Sequence, residues 1–190
     1  MAKLTEVRWH GRGGQGAKTA GYVLAVAAAA QGWEVQAFPE YGAERRGAPM
    51  RSYVRISDEP IRLRSGIESP DIVIVLDDSL LETENVAEGL PEGGLLIINT
   101  SMSEDEVKTA IGREDVQLYI VDASSISVET IGRDIPNTPM IGALAKVSDI
   151  IELDACLQGI EESLGEKLPP AVVDSNKEAV KRAYEEVQVA

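Results

Sequence analysis

The sequence predicts an α/β fold: a three-layer α/β/α sandwich around a mixed, mostly parallel sheet that carries an antiparallel hairpin. Three observations predict it. A strand-like stretch, Leu4 to His10, runs into four glycines within six residues, Gly11-Arg12-Gly13-Gly14-Gln15-Gly16, and then into a helix-forming run over 17–30. The stretches 71–76 and 95–99 are short and almost wholly apolar, as in strands buried on both faces. Strand and helix signals then alternate along the chain, which is how a parallel sheet acquires helices on both sides. A chain of 190 residues is long enough to build a core without staples, so one domain over 1–190 is expected.

Taken in order, the first strand feeds the glycine loop. Glycines permit positive φ and close approach of a ligand. The helix that follows offers free N–H groups and the positive end of its dipole. Gly32 ends this helix. Trp33 to Phe38 reads as a second strand, stopped by Pro39. The loop 40–49 combines glycine, charge and an aromatic ring, and holds the adjacent Arg45 and Arg46. Met50 to Ile56 and Ile61 to Arg64 both alternate, about Ser57-Asp58-Glu59-Pro60, and predict a hairpin. A two-residue turn at Asp58-Glu59 would set Arg55 opposite Arg62 and Tyr53 opposite Arg64. Opposed like charges cost stability, so that face either meets an anion or acidic neighbour or splays into water.

After the strand at 71–76, Asp77-Asp78-Ser79 can cap a helix running through Glu84; a carboxylate pair at a strand end can also bind a metal or serve as acid and base. Leu95 to Asn99 is a further strand. Ser103-x-x-Glu106 is a capping box for a helix to Ile111. Val116 to Val121 is the next strand, closing on Asp122. The stretch 131–141 reads as loop, then helix from about Thr138 with Pro139 at its first position. Gly142-Ala143-Leu144-Ala145 permits close packing. Two amphipathic helices follow, with stripes Leu153, Cys156, Leu157, Ile160, Leu164 and Ala179, Val180, Ala183, Tyr184, Val187.

Composition excludes several function classes. No run approaches the roughly 20 apolar residues of a membrane span, and the N-terminus lacks a charged-then-apolar leader pattern; a cytoplasmic protein is expected. Cys156 is the only cysteine, so a disulfide or a cysteine set for zinc or iron–sulfur is excluded. It falls within an apolar stripe and reads as core. His10 is the only histidine and reads as a strand-end residue beside the loop. The net charge is −14, unevenly spread: residues 1–64 hold ten Lys/Arg against six Asp/Glu, and residues 65–190 hold eight against 26. The acidic part argues against general nucleic-acid binding. The basic part marks where an anion or acidic partner would dock.

Gly11, Gly13 and Gly16 satisfy G-x-G-x-x-G. The ribose-binding acid that should follow about 20 residues on is absent, Glu40 lying beyond Pro39. The P-loop register also fails: Ala17 separates Gly16 from Lys18-Thr19 and turns the lysine by about 100°. The residues alone therefore allow a phosphate site of nonstandard type, or a tight turn without ligand. Arg45 and Arg46 can grip phosphate or carboxylate in bidentate fashion, or sit in a solvated loop paired with Glu40 and Glu44.

Three motifs in register carry a resemblance. His10-Gly-Arg-Gly-Gly-Gln-Gly16, Phe38-Pro-Glu-Tyr-Gly-Ala-Glu-Arg-Arg-Gly-Ala-Pro-Met50 and Ile135-Pro-Asn-Thr-Pro-Met-Ile-Gly-Ala-Leu144 resemble the γ subunit of 2-oxoacid:ferredoxin oxidoreductases over nearly the whole chain, in the form most similar to the pyruvate branch. The resemblance implies that a 2-oxoacid and coenzyme A become acyl-CoA and CO₂ while two electrons pass to ferredoxin. It implies α, β and δ-type partner subunits (or fused equivalents), with thiamine diphosphate, magnesium and iron–sulfur clusters on those partners. No catalytic residue and no metal ligand is expected on this chain, whose role would be assembly and help with coenzyme A. On that reading Gly13, Gly14, Gln15 and Gly16 hold phosphate through backbone N–H groups, Lys18, Arg45 and Arg46 add charge, and Asn137 and Thr138 lie on a surface facing the catalytic subunits. The alternatives are a stand-alone nucleotide- or NAD(P)-binding enzyme and a purely structural subunit.

Overall fold

The computed structural model describes residues 3–40 and 47–190. The elements run β1 (Leu4–Arg12), α1 (Ala17–Ala30), β2 (Glu34–Pro39), β3 (Pro49–Ser57), β4 (Ile72–Val75), a single 3-10 turn (Asp78–Leu81), β5 (Leu95–Asn99), α2 (Glu104–Ile111), β6 (Gln117–Val121), α3 (Ala123–Ile131), α4 (Asn137–Val147), α5 (Leu153–Leu164), α6 (Pro170–Glu186) and β7 (Gln188–Val189). One seven-stranded sheet has the order β2-β3-β1-β4-β5-β6-β7. β1, β4, β5 and β6 pair in parallel; β3 runs antiparallel to both β1 and β2, and β7 antiparallel to β6. Five strands thus point one way and two the other, the mixed, mostly parallel sheet that the sequence predicts.

The two faces are covered unequally. Val7 and Trp9 of β1, Val54 and Ile56 of β3, and Ile72, Ile74 and Ile97 of the next strands form one core with α1, α4, α5 and α6. Close approach of the helices explains the small residues. A Cβ on Gly142 of α4 would lie 2.0 Å from the Val180 carbonyl oxygen of α6, and one on Gly159 of α5 would lie 2.8 Å from Ala27 Cβ of α1. The opposite face of β4–β6 (Val73, Val75, Leu96, Ile98, Leu118) packs under α2 and the coil over 80–90. Dry side-chain packing of this kind on both faces is what the apolar runs at 71–76 and 95–99 signalled.

The structure corrects the sequence reading at several elements. The hairpin of 50–56 with 61–64 does not form: β3 pairs on one side with β2 and on the other with β1, so the hairpin is β2–β3, and residues 61–64 are not strand. Residues 61–64 alternate but pair with no strand; instead, side chains of the sheet hold one carbonyl of this segment and one just past it. Leu63 O accepts from Gln36 Nε2 at 3.0 Å and Gly66 O from Arg55 Nη2 at 3.2 Å. Arg55 does not face Arg62; it is 1% exposed and donates to Glu6 Oε1 at 2.7 Å and Gln36 Oε1 at 2.9 Å. The helix after Asp77 is only the 3-10 turn. α3 was unforeseen: Asp122, which the sequence suggested as a strand end, caps it by accepting from Ser125 N at 2.9 Å. α4 begins at Asn137, which puts Pro139 third rather than first. β7 is a two-residue strand past α6.

Candidate functional site

β1 lies inside the sheet, third of its seven strands, between β3 and β4. The chain leaves it through α1 toward β2 and β3 on one side, while β4 extends the other side. Crevices form at the carboxyl ends of parallel strands where connections diverge like this. The glycine loop occupies that position. Gly14 has φ 105° and Gly16 φ 84°, backbone that disfavours other residues. Gln15 staples the turn from within: its Oε1 accepts from Arg12 N at 2.7 Å, and its Nε2 donates to Asp77 Oδ2 at 2.6 Å.

Two distant motifs meet the loop. Gly13 N donates to Ala48 O, and Gly47 N donates to Gly13 O, both at 2.9 Å, so the segment that follows the arginine pair is laced to the loop. Arg45 and Arg46 themselves lie outside the described residues. Arg12 adds a bond from Nη1 to Gly47 O at 3.2 Å and reaches Ser79 Oγ at 2.8 Å through Nη2. On the other side, Asn137 Nδ2 lies 3.4 Å from Gly16 O, and a Cβ on Gly16 would come within 2.5 Å of that same nitrogen. The three resemblance motifs therefore converge on a single turn.

This geometry sorts the loop's donors. The N–H of Gly13 is spent on Ala48 O and that of Gln15 on Arg12 O at 3.0 Å. The N–H groups of Gly14 and Gly16 find no acceptor among the described residues. α1 has no acidic residue in its first turn and no side-chain cap, so its N-terminal field is uncancelled locally. Lys18 is exposed in that first turn. Asn137 and Thr138, expected on a surface, are instead 5% and 1% exposed. Thr138 Oγ1 donates to Asn176 Oδ1 at 2.8 Å, and Asn176 Nδ2 donates to Val172 O at 2.8 Å, a polar tie between α4 and α6 inside the core. A short hydroxyl followed by a proline gave no sign of that burial; the partner lies 38 residues away.

On the β4–β6 side of the loop a cleft of about 240 Å³ is lined by Asp77, Asp78, Asp122 and Asp134 with Asn99 and Thr100. Three of these four carboxylates have structural duties, Asp122 as the cap of α3. Asp77 accepts from Ser79 N at 3.1 Å, and Asp78 accepts from Thr100 Oγ1 at 2.6 Å. Burial opposes ionisation of Asp77, but hydrogen bonds from Ser79 and Gln15 and the nearby Arg12 charge prevail and hold its pKa below the ordinary value. The cleft is thus unfavourable to anions, whereas the loop's free donors favour them.

His10 is 2% exposed, and its Nε2 accepts from Arg8 Nε at 3.0 Å. Burial first, then the charges of Arg8 and Arg51, lower its pKa to about 3, so it is neutral at ordinary pH. Cys156 is buried in the main core, which pushes its thiol up to about 12. One inert cysteine does not fit an iron–sulfur cluster. Among the described residues no three His, Cys, Asp or Glu side chains stand together as a metal site.

Fold and loop together define an α/β domain with a dinucleotide-type glycine loop at the switch point of its sheet. The chain belongs to the pyruvate ferredoxin/flavodoxin oxidoreductase family, whose model matches residues 6–186. It is 50% identical over 186 residues to the pyruvate synthase subunit PorC of Thermotoga maritima, covering 98% of this chain and 96% of that one. It is 43% identical to the pyruvate/ketoisovalerate oxidoreductases common subunit gamma of Pyrococcus abyssi, covering 98% of each. The crystal structure of the Thermotoga maritima pyruvate oxidoreductase subunit PORC matches with TM-score 0.88 and 46% identity over 99% of both chains. A 2-oxoglutarate:ferredoxin oxidoreductase from Magnetococcus marinus, solved with 2-oxoglutarate, coenzyme A and succinyl-CoA bound, shares the fold with TM-score 0.77 at 23% identity, over 96% of this chain and 31% of that one. The chain is a γ-type subunit of an oxidoreductase that acts on oxo groups.

Proposed function

We propose that this chain serves a pyruvate-type 2-oxoacid:ferredoxin oxidoreductase by joining its catalytic subunits and by holding part of coenzyme A at the glycine loop. The reaction served is 2-oxoacid plus coenzyme A giving acyl-CoA and CO₂, with two electrons passed to ferredoxin. Thiamine diphosphate with magnesium, and iron–sulfur clusters, supply carbanion stabilisation and electron transfer, and both belong to α, β and δ-type partners. The complex works in the cytoplasm; among the described residues no helix is long and apolar enough to cross a membrane.

The observation that carries the coenzyme A reading is the pair of N–H groups, on Gly14 and Gly16, that find no acceptor among the described residues, at the start of a helix without an acidic first turn. A pyrophosphate matches those donors in charge and shape. Lys18 supplies a cation beside it, and Arg45 and Arg46 add bidentate donors from the segment anchored by Gly47. Of the four residues expected to present backbone N–H groups, Gly13 and Gln15 have theirs committed internally. Their part is to shape the turn, while Gly14 and Gly16 face the phosphate. The acidic cleft steers the anion to the β3 side of the loop.

The test is steady-state kinetics of the intact complex. Arg45→Ala with Arg46→Ala should raise the KM for coenzyme A about tenfold or more, the scale of losing one or two charge-assisted bonds, with thiamine diphosphate content unchanged. An unchanged KM would sink the coenzyme A reading and favour a purely structural loop. Tight binding of NAD(H) or ATP by the complex at this loop would favour a nucleotide enzyme.

A further inference from the structure

The segment 61–66 has exposed side chains on a backbone that is held from below. Gln36 binds the Leu63 carbonyl, the buried Arg55 binds that of Gly66, and Ile67 is buried at 3%. Leu63 is nevertheless 47% exposed, and Arg62 and Arg64 on either side of it are exposed as well. Neither arginine makes an ion pair or side-chain hydrogen bond among the described residues. Most of the described arginines do: Arg8, Arg12, Arg51, Arg55, Arg113 and Arg182 all reach acceptors of their own chain, and Arg133 is the one other that does not. In a molecule with 32 acidic residues and 18 Lys/Arg, two guanidinium groups that flank one exposed apolar side chain and find no partner among the described residues stand out.

We propose that Arg62, Leu63 and Arg64 form a docking strip for a carboxylate-bearing surface of another subunit of the same oxidoreductase, an inference that rests on this chain being a subunit. A guanidinium group forms forked bonds to carboxylates, and an apolar anchor within a charged rim is how small contact patches gain affinity. Because the backbone is already fixed, docking need not order it, and the entropic penalty of association is reduced. The occupant is an acidic polypeptide and not a polyanion such as nucleic acid. The net charge of −14 repels an extended negative field, whereas two arginines within about a Debye length can still pair with a few carboxylates.

The experiment places a photo-activatable phenylalanine, p-benzoylphenylalanine, at Leu63 of the complete complex and irradiates it. The expected product joins this chain to an Asp/Glu-rich peptide of a different subunit. A link only within the chain, a link to a second copy of it, a link to nucleic acid, or no adduct from an otherwise intact complex overturns the proposal. Co-purification of the unmodified chain with its partners tests the subunit reading separately, so the two failures are distinguishable. A second measurement compares Arg62→Glu with Arg64→Glu against the double Lys variant. The Glu pair should weaken retention of this chain about tenfold at physiological salt while the Lys pair retains it. Equal retention of both would overturn the proposal.

Discussion

The β4–β6 half of the sheet and the β2-β3-β1 half share one hydrogen-bonded ladder but are held by different forces. In the first half both faces are aliphatic: Ile72 and Ile74 face one core, Val73 and Val75 the other. In the second half one face is aliphatic and the other polar. β1 sends Val7 and Trp9 into the helix-covered core and presents Glu6, Arg8 and His10 to the opposite side. There, two loops are fastened by arginines. Arg55 clamps the 58–67 segment, and Arg8 binds Val86 O at 3.2 Å and Glu88 O at 2.5 Å. Aliphatic packing tolerates exchange of shape for similar shape; a buried cation needs each of its partners in place.

The largest expected effect tests this contrast where it is sharpest. Arg55→Ala leaves Glu6 without its cation, deprives Gln36 of a donor and frees the 58–67 segment. It should cost about 3 kcal/mol in denaturant unfolding. A loss no greater than that of an exposed substitution would break the distinction between the halves. Gly142→Ala probes the aliphatic side, where the new methyl meets the Val180 carbonyl and α4 must move from α6. About 2 kcal/mol is expected, read as a lower melting temperature. At neutral pH the smallest effect is that of His10, whose contribution shows only in acid. Its folded pKa of about 3 lies below the unfolded value of about 6.5. Below about 6.5 the unfolded chain takes up a proton that the folded chain refuses, so stability falls as pH drops toward 3, and nothing is lost above that window. The contribution to the slope is at most about 1.4 kcal/mol per pH unit. His10→Gln should flatten the stability–pH curve between about 4 and 6 relative to the parent; an unchanged curve would mean that His10 is protonated in the folded chain.

The same contrast explains what was legible in the sequence. Strands β4 and β5 follow from continuous apolar runs, helix α1 from a run of helix formers and the stripes of α5 and α6 from apolar periodicity, all of them local signals. The capping box of α2 was legible for the same reason: Ser103 and Glu106 are three residues apart and satisfy each other. The false hairpin arose on the polar side, because alternation in 61–64 cannot report that Gln36 claims the Leu63 carbonyl and Arg55 that of Gly66. α3 escaped because its polar, serine-rich sequence lacks a strong stripe, and its Asp122 cap was credited to the strand before it. In the site, the glycines and Lys18 were legible as types of residue, since positive φ and a helix start need them. Which N–H groups remain free was not legible, because Ala48 decides for Gly13 and no spacing rule links the two. Asn137 and Thr138 are legible as part of a motif but their burial is not, since only Gly16 and Asn176, far off in sequence, define their surroundings.

The contact between Asn137 and Gly16 spans 121 residues, and this bears on how the molecule is made. A chain emerging from the ribosome at about 5–20 residues per second exposes β1 and α1 several seconds before α4 exists. During that interval the glycine turn has its internal Gln15–Arg12 staple but lacks Asn137 beside Gly16, and the Asp77 partner of Gln15 arrives only partway through. The turn is therefore completed late, after most of the sheet has been synthesised, and a nascent chain halted before residue 137 carries an unfinished glycine turn.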